Sequence, residues 1–232
     1  MAVAKKTKKI LTVAEEIQLR FEKTTNLFLN SKLKPCMDAC AVSLEDTPED
    51  IGYLNLLASA HWRKGNLKEH LSYATKAYEL EPENITANML LGLACSLKGG
   101  REQDALKMFS FCLSKEPENC DFLRYRALAY VSLEELNGLP PKIKEKYMMK
   151  ADEDLQSIMR VVGETEVETD FRKSYYRSFA QLYLLKYMNA KNEAEKAIEL
   201  FDEEPDPSKK DRNLLKEIKV HLRKSVGEMK KQ

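Results

Sequence analysis

Apolar residues recur every three or four positions between residues 51 and 84, and the pattern is interrupted once. The first stripe contains Leu54, Leu57, Ala58 and His61. The second stripe contains Leu67, His70, Leu71, Ala74, Ala77 and Tyr78. This spacing predicts a helix with one inward face for each stripe. The turn residues Lys64-Gly65-Asn66 separate the two, and Pro82 follows the second. The segment therefore predicts two antiparallel helices that bury their stripes against each other.

The same plan recurs along the chain. Pro48, Pro82 and Pro117 are 34 and then 35 residues apart, in the phrases SLEDTPED, ELEPENI and SKEPENC. Residues 85–119 again carry two apolar stripes, separated by Gly99-Gly100. A period in this range predicts a small structural unit that is copied and stacked.

Residues 51–119 resemble tetratricopeptide repeats, whose pattern is Trp, Leu-Gly, Tyr, Ala, Phe, Ala and Pro. In 51–84 the matching residues are Leu54, Leu57-Ala58, Gly65, Ala77 and Pro82. In 85–119 they are Leu91-Gly92, Gly100, Ala105, Phe109 and Pro117. The resemblance implies an all-α fold, a right-handed α-solenoid of tetratricopeptide-like helical hairpins with a C-terminal capping helix.

Weaker versions of the pattern extend the array over residues 13–203. The expected organisation is a basic flexible arm at 1–12, repeats at about 13–48, 51–84, 85–119, 120–163 and 168–203, and a basic capping helix at 208–232. The stretched turn at 137–141 and the acidic loop at 164–170 are either functional contacts or tolerated loop insertions. The sequence leaves both interpretations open.

Composition narrows the function. Charged residues make up 32% of the chain, yet the net charge is only +1, so no long-range field gathers nucleic acid. Basic segments near both termini could bind nucleic acid or an acidic partner, but they lack aromatic stacking residues, so we do not expect a nucleic-acid ligand. Five cysteines at irregular spacing indicate free thiols. We expect a cytoplasmic protein without a membrane span, because no apolar run approaches the roughly 20 residues needed.

Few residues could carry chemistry. Cys36, Cys40 and His61 could form a three-ligand metal site, because thiolate and imidazole bind zinc. All three, however, fall at core positions of the repeat, where cysteine acts as a small apolar residue. Because phosphate-loop and nucleophile motifs are also missing from the sequence, we expect no metal, no cofactor and no enzymatic activity.

The resemblance instead implies protein binding. In such arrays one face of each first helix lines a concave groove. The residues expected there are Asn55, Ser59, Trp62, Arg63, Met89, Leu93, Arg124, Tyr125 and Leu128. An apolar strip with Arg and Asn beside it favours an extended peptide or an amphipathic helix of a partner protein. Several of these residues could equally pack between adjacent helices.

Two alternatives follow. A structural subunit would dock through its convex face or its terminal helix, and an RNA-associated repeat protein would show strongly salt-dependent binding. Clamp-type binding of chaperone tails is not expected, because neither possible register supplies the cations that a carboxylate needs. The residues in the clamp positions are Phe21, Thr25, Leu56, Thr86 and Leu90, or Asn55, Ser59, Leu90, Asp121 and Tyr125.

Overall fold

The computed structural model describes residues 12–98, 100–134, 139–163, 171–183, 187–202 and 209–229. These residues form helices and turns and contain no strand. The helices are α1 (Val13–Leu29), α2 (Leu33–Asp46), α3 (Ile51–Lys64), α4 (Leu67–Leu80), α5 (Ile85–Lys98), α6 (Glu102–Lys115), α7 (Cys120–Glu134), α8 (Pro141–Val162), α9 (Phe171–Tyr183), α10 (Tyr187–Asp202) and α11 (Lys209–Met229). The acidic loop 164–170, residues 137 and 138 of the stretched turn and nearly all of the N-terminal arm lie outside the described residues.

The chain divides into two units, Met1–Leu80 (unit 1) and Glu81–Gln232 (unit 2). In unit 1, α1 to α4 enclose an apolar cluster with Cys36, Cys40, Tyr53, Leu56 and Leu57 at its centre. In unit 2, consecutive helices pack as α5 with α6, α7 with α8, and α9 with α10, and α11 packs on α10 and α9. Hairpins of neighbouring helices are therefore the building block of both units.

The three proline phrases form the same turn. In Thr47–Asp50, Glu81–Asn84 and Glu116–Asn119, the N–H of the last residue donates to the carbonyl oxygen of the first, at 3.1, 3.0 and 3.2 Å. Each proline is the second residue of its turn, the position for which its fixed φ is suited. The prolines therefore do more than end the preceding helix: they shape a turn that leads into the next one.

The last residue of each turn also caps the helix that follows. Asp50 Oδ1 accepts a hydrogen bond from the N–H of Tyr53 at 3.1 Å. Asn84 Oδ1 accepts from the N–H of Ala87 at 3.1 Å. Asn119 Oδ1 accepts from the N–H of Phe122 at 3.3 Å. Such a cap satisfies a backbone donor that the first helical turn leaves unpaired and contributes about 1 kcal/mol. The repeated phrases are thus helix start signals.

Glycines close two hairpins. Gly65 follows α3 with a φ of 80°, and Gly100 precedes α6 with a φ of 81°. Glycine adopts this left-handed conformation without the penalty that a Cβ brings. These two positions allow the second helix of each hairpin to fold back on the first.

The described residues of unit 2 include two apolar clusters. The larger one lies around α7 and α8, and its fully or almost fully buried members include Leu123, Ala127, Leu155 and Ile158. In the smaller one, Leu214 and Ile218 of α11 pack against Tyr175, Ala194, Ala197 and Phe201. None of the described helices is both long enough and apolar enough to cross a membrane.

Candidate partner-binding faces

Four of the residues expected to bind a partner lie on α3, in unit 1. Asn55 is buried, whereas Ser59, Trp62 and Arg63 are half-buried. We call these four residues the unit 1 face. Its last turn, with Trp62 and Arg63, combines an aromatic ring with a guanidinium.

Arg63 is fixed by contacts with α1. Its guanidinium carbon lies 3.8 Å from the centroid of the Phe28 ring, and Nη1 donates to the carbonyl oxygen of Phe28 at 3.2 Å. Burial lowers the pKa of Arg63, although the nearby Cys36 opposes the shift. The guanidinium is therefore held in place by an aromatic face and the end of α1, where a positive charge is favourable.

Trp62 packs against a buried histidine, His70. The two ring centroids of Trp62 and His70 lie 5.1 Å apart. His70 Nδ1 lies 2.9 Å from the carbonyl oxygen of Ala58, and because a carbonyl only accepts, Nδ1 carries the proton. The indole thus rests on a ring that is itself hydrogen-bonded to the backbone of α3.

The other five residues lie on α5 and α7, in unit 2, and we call them the unit 2 face. Leu93 and Arg124 are buried, whereas Met89, Tyr125 and Leu128 are half-buried. Met89 and Leu128 pack against the larger apolar cluster of unit 2. Tyr125 stacks on Phe109, with ring centroids 5.6 Å apart. Much of this face is therefore used in contacts within unit 2, the interpretation that the sequence had left open.

Arg124 is surrounded by acids and rings. Its guanidinium nitrogens lie 3.2 Å from Glu217 Oε2 and 3.4 Å from Asp121 Oδ1. Its guanidinium carbon lies 4.5 Å from the ring centroid of Tyr125 and 5.8 Å from those of Tyr175 and Phe179. Arg124 of α7 thus reaches a carboxylate on α11.

The same carboxylate is bound by α9. The hydroxyl of Tyr175 donates to Glu217 Oε2 at 2.6 Å. Burial raises the pKa of Tyr175, and its hydrogen bond to Glu217 adds to the rise while Arg124 opposes it. The hydroxyl therefore stays protonated and remains a donor. Arg124, Tyr175 and Glu217 form one polar cluster that links α7, α9 and α11.

Sequence reasoning missed Tyr175 and Glu217. One signal was present: Glu217 lies between Leu214 and Ile218, on the apolar side of α11. A carboxylate beside apolar residues that pack inward indicates a hydrogen-bond donor or a cation on the surface that they contact. The pattern did not say which cation that partner would be, because Arg124 is 93 residues away in sequence.

The thiols of unit 1 do not form a ligand set. Cys36 and Cys40 are both fully buried on α2. Their mutual hydrogen bond, with burial adding to it, raises the pKa of Cys40. His61 stacks on Tyr73, with ring centroids 5.4 Å apart. Within the part of the chain that the structure describes, no group of three His, Cys, Asp or Glu residues is placed to hold a metal ion.

No protein-family profile matches the chain, and no curated protein sequence matches it. Several solved structures do. A tetratricopeptide-repeat protein of Thermus thermophilus, TTC0263, is 16% identical, covers 88% of this chain and 98% of its own, and has a TM-score of 0.62. MamA of Desulfovibrio magneticus RS-1 is 14% identical, covers 82% of this chain and 97% of its own, and has a TM-score of 0.55.

A third match is a tetratricopeptide-repeat protein of Parabacteroides merdae ATCC 43184. It is 17% identical, covers 92% of this chain and 77% of its own, and has a TM-score of 0.53. At these identities the likeness concerns the fold. It confirms the predicted all-α class, while the capping role of α11 stays a prediction. The chain has the fold of the tetratricopeptide-repeat solenoid proteins.

Proposed function

We propose that this protein is an interaction scaffold that binds a segment of a partner protein and performs no chemistry. The tetratricopeptide fold supports this proposal, because stacked helix pairs offer extended surfaces for binding. The five cysteines are all free thiols, which suits the cytoplasm that we propose as its location.

The unit 1 face carries the proposal. Trp62 packs on His70 and Arg63 packs on Phe28, so contacts orient both side chains, and both are half-buried and still offer surface. Aromatic residues and arginine are enriched where proteins meet, and rigid side chains lose little entropy on binding. Arg63 rests on a ring and a carbonyl, and a carboxylate from outside would add the charged partner that its guanidinium favours. We propose a partner segment with an apolar side chain against Trp62 and an acidic side chain at Arg63.

Affinity purification of the full chain from native cells, followed by binding measurements with the purified partner, tests this proposal. Arg63→Gln should weaken that binding about tenfold, the effect of losing one strong interfacial contact. Lys64→Gln is the matched control, since Lys64 is the exposed neighbour. If the partner binds the wild type and both variants equally, with unchanged circular dichroism, the unit 1 face is not the binding site.

The alternative is a structural subunit of a larger assembly. Exposed apolar residues favour it: Val13 and Ile17, one helical turn apart on α1, are 74% and 52% exposed, and Val42 on α2 is 58% exposed. Exposed apolar side chains are what a subunit would bury in a permanent contact. Native mass by size exclusion with light scattering discriminates, because an adaptor runs mostly alone and a subunit elutes with its assembly.

A further inference from the structure

Arg124 and Tyr175, which bind Glu217, have the properties of a ligand-binding site. Both of its donors, Arg124 Nη1 and the hydroxyl of Tyr175, converge on the same atom, Glu217 Oε2, at 3.2 and 2.6 Å. They come from α7 and α9, while the acceptor comes from α11. Charge-assisted bonds to a carboxylate are among the strongest that side chains make.

The two donors and the carboxylate that they bind differ in burial. The side chain of Arg124 is 10% exposed and Tyr175 is fully buried, whereas the side chain of Glu217 is 47% exposed. Arg124 Nε is also buried and has no hydrogen-bond partner. The two donors are therefore buried within unit 2, Arg124 has one N–H that makes no hydrogen bond, and the carboxylate that they bind is partly exposed.

Two apolar side chains complete the contact. Leu214 and Ile218, three residues before and one residue after Glu217, pack into the smaller apolar cluster of unit 2. The helix α11 is thus bound as an amphipathic helix would be, by apolar anchors and one carboxylate. Its opposite side, with Lys216 and Lys219, is exposed.

We propose that Arg124 and Tyr175 form a receptor for a glutamate on an amphipathic helix, that α11 is its internal occupant, and that a partner helix with the pattern Leu-x-x-Glu-Ile binds by replacing α11. This inference rests on the proposed scaffold function and adds a second, regulated site to it. Because α11 belongs to the same chain, it competes at a high effective concentration, so free partner helices bind only weakly until α11 is loosened.

The test uses the full-length chain and a fluorescent synthetic peptide with the sequence of residues 209–229. Glu217→Gln in the chain weakens the internal occupant and leaves the receptor intact. We expect the peptide to bind this variant at least about tenfold more tightly than the wild type, as for loss of a charge-assisted bond. Glu199→Gln is the matched control, since Glu199 is an exposed carboxylate on α10. It should bind like the wild type.

Two further variants test the receptor. Placed in the Glu217→Gln chain, Tyr175→Phe removes only the hydroxyl and should cancel most of the gain. A peptide with Gln in place of Glu217 should likewise show little of the gain in affinity for the Glu217→Gln chain. Circular dichroism establishes that each chain is folded.

Equal affinity of the peptide for the wild type, Glu217→Gln and Glu199→Gln chains would overturn the inference, and so would no binding to any of them. In that case α11 is a fixed part of the fold. The proposed function would be unaffected, since its test depends on Arg63 in unit 1 and on the purified partner. If Arg63→Gln does not weaken partner binding and the peptide gives the expected result, the unit 1 face is not the partner-binding site and the inference about α11 still holds.

Discussion

The α3–α4 hairpin of unit 1 and the α5–α6 hairpin of unit 2 fill the same interior positions with different residues. The corresponding positions are Ala58, His70 and Ala74 in the first hairpin and Gly92, Ala105 and Phe109 in the second. All six are buried. The first hairpin places its one ring at His70, and the second places it one helical turn later, at Phe109.

The position of the ring decides which residue must be small. A Cβ on Gly92 would lie 2.7 Å from Phe109 Cε1 and 2.9 Å from Cζ, so the glycine exists because of the phenylalanine. In the other hairpin the ring of His70 is hydrogen-bonded to the backbone oxygen of Ala58, and the positions that correspond to Gly92 and Phe109 are both alanine, Ala58 and Ala74. Both hairpins have a close-packed interior, and the size of the residue at each position depends on the size of the side chain that it contacts.

The largest effect is expected from Phe109→Ala. Removing a fully buried ring leaves a cavity, and the free energy of unfolding should fall by about 3–5 kcal/mol. Urea unfolding followed by circular dichroism measures the change. Phe111→Ala is the matched control on the same helix, because Phe111 is half-buried with Lys115 over its ring, 5.3 Å from the centroid. A loss no greater than that of the control would show that Phe109 does not organise the hairpin.

Most of the fold could be predicted from the sequence because its signals are local. The turn at Glu81–Asn84 and its copy at Glu116–Asn119 need only their own residues to form, and Gly65 ends α3 for a reason found in its own backbone. The two helices predicted on either side of Lys64-Gly65-Asn66 are α3 (Ile51–Lys64) and α4 (Leu67–Leu80) in the structure. The division into five repeats stays a prediction, since the structure describes helices and does not set repeat boundaries.

The candidate site was harder to predict because burial depends on distant residues. The sequence assigns the same role to Arg63 on α3 and to Arg124 on α7, the first helices of two repeats. Arg63 stays half-buried over Phe28, while Arg124 is buried beside a glutamate from the last helix. Nothing in the residues adjacent to Arg124 signals that contact. Helical periodicity locates a face, but it does not tell what covers that face.

The next largest effects are expected when the ring of the first hairpin is moved from position 70 to position 74. Ala74→Phe in the wild type should cost about 1–3 kcal/mol, because it adds a ring beside His70. His70→Ala should also cost stability, through its cavity and the lost bond to Ala58. The double variant should lose less than the sum by at least about 1 kcal/mol, because one ring then fills the space of the other. The exposed Lys68→Ala with Ala74→Phe is the control cycle, expected to be additive. Additivity in both cycles would show that the two positions do not share one space.

Gly92→Ala should change the free energy of unfolding in opposite directions in two backgrounds. In the wild type, Gly92→Ala should destabilise the chain by about 1–2 kcal/mol, since the new methyl group displaces Phe109. In the Phe109→Ala background the same change should stabilise it by about 1 kcal/mol, because alanine favours the helix more than glycine and the space is open. Urea midpoints of the four chains provide the measurement. If Gly92→Ala has the same sign in both backgrounds, the glycine is not explained by the ring.

The smallest effect concerns pH and the remaining histidine of the first hairpin. Burial lowers the pKa of His61, with Lys64 adding to the shift and Glu69 opposing it. The amide of Asn66 lies 3.3 Å from His61 Nδ1, a contact that suits the unprotonated ring. Below its ordinary pKa of about 6.5 the unfolded chain therefore binds more protons than the folded one, so His61 makes stability fall as pH decreases from about 7.5 to about 5.5. The melting temperature of the wild type should drop more over this range than that of His61→Asn, since all other groups titrate in both chains. Parallel curves would mean that the half-buried ring at the end of α3 is already solvated as in the unfolded chain.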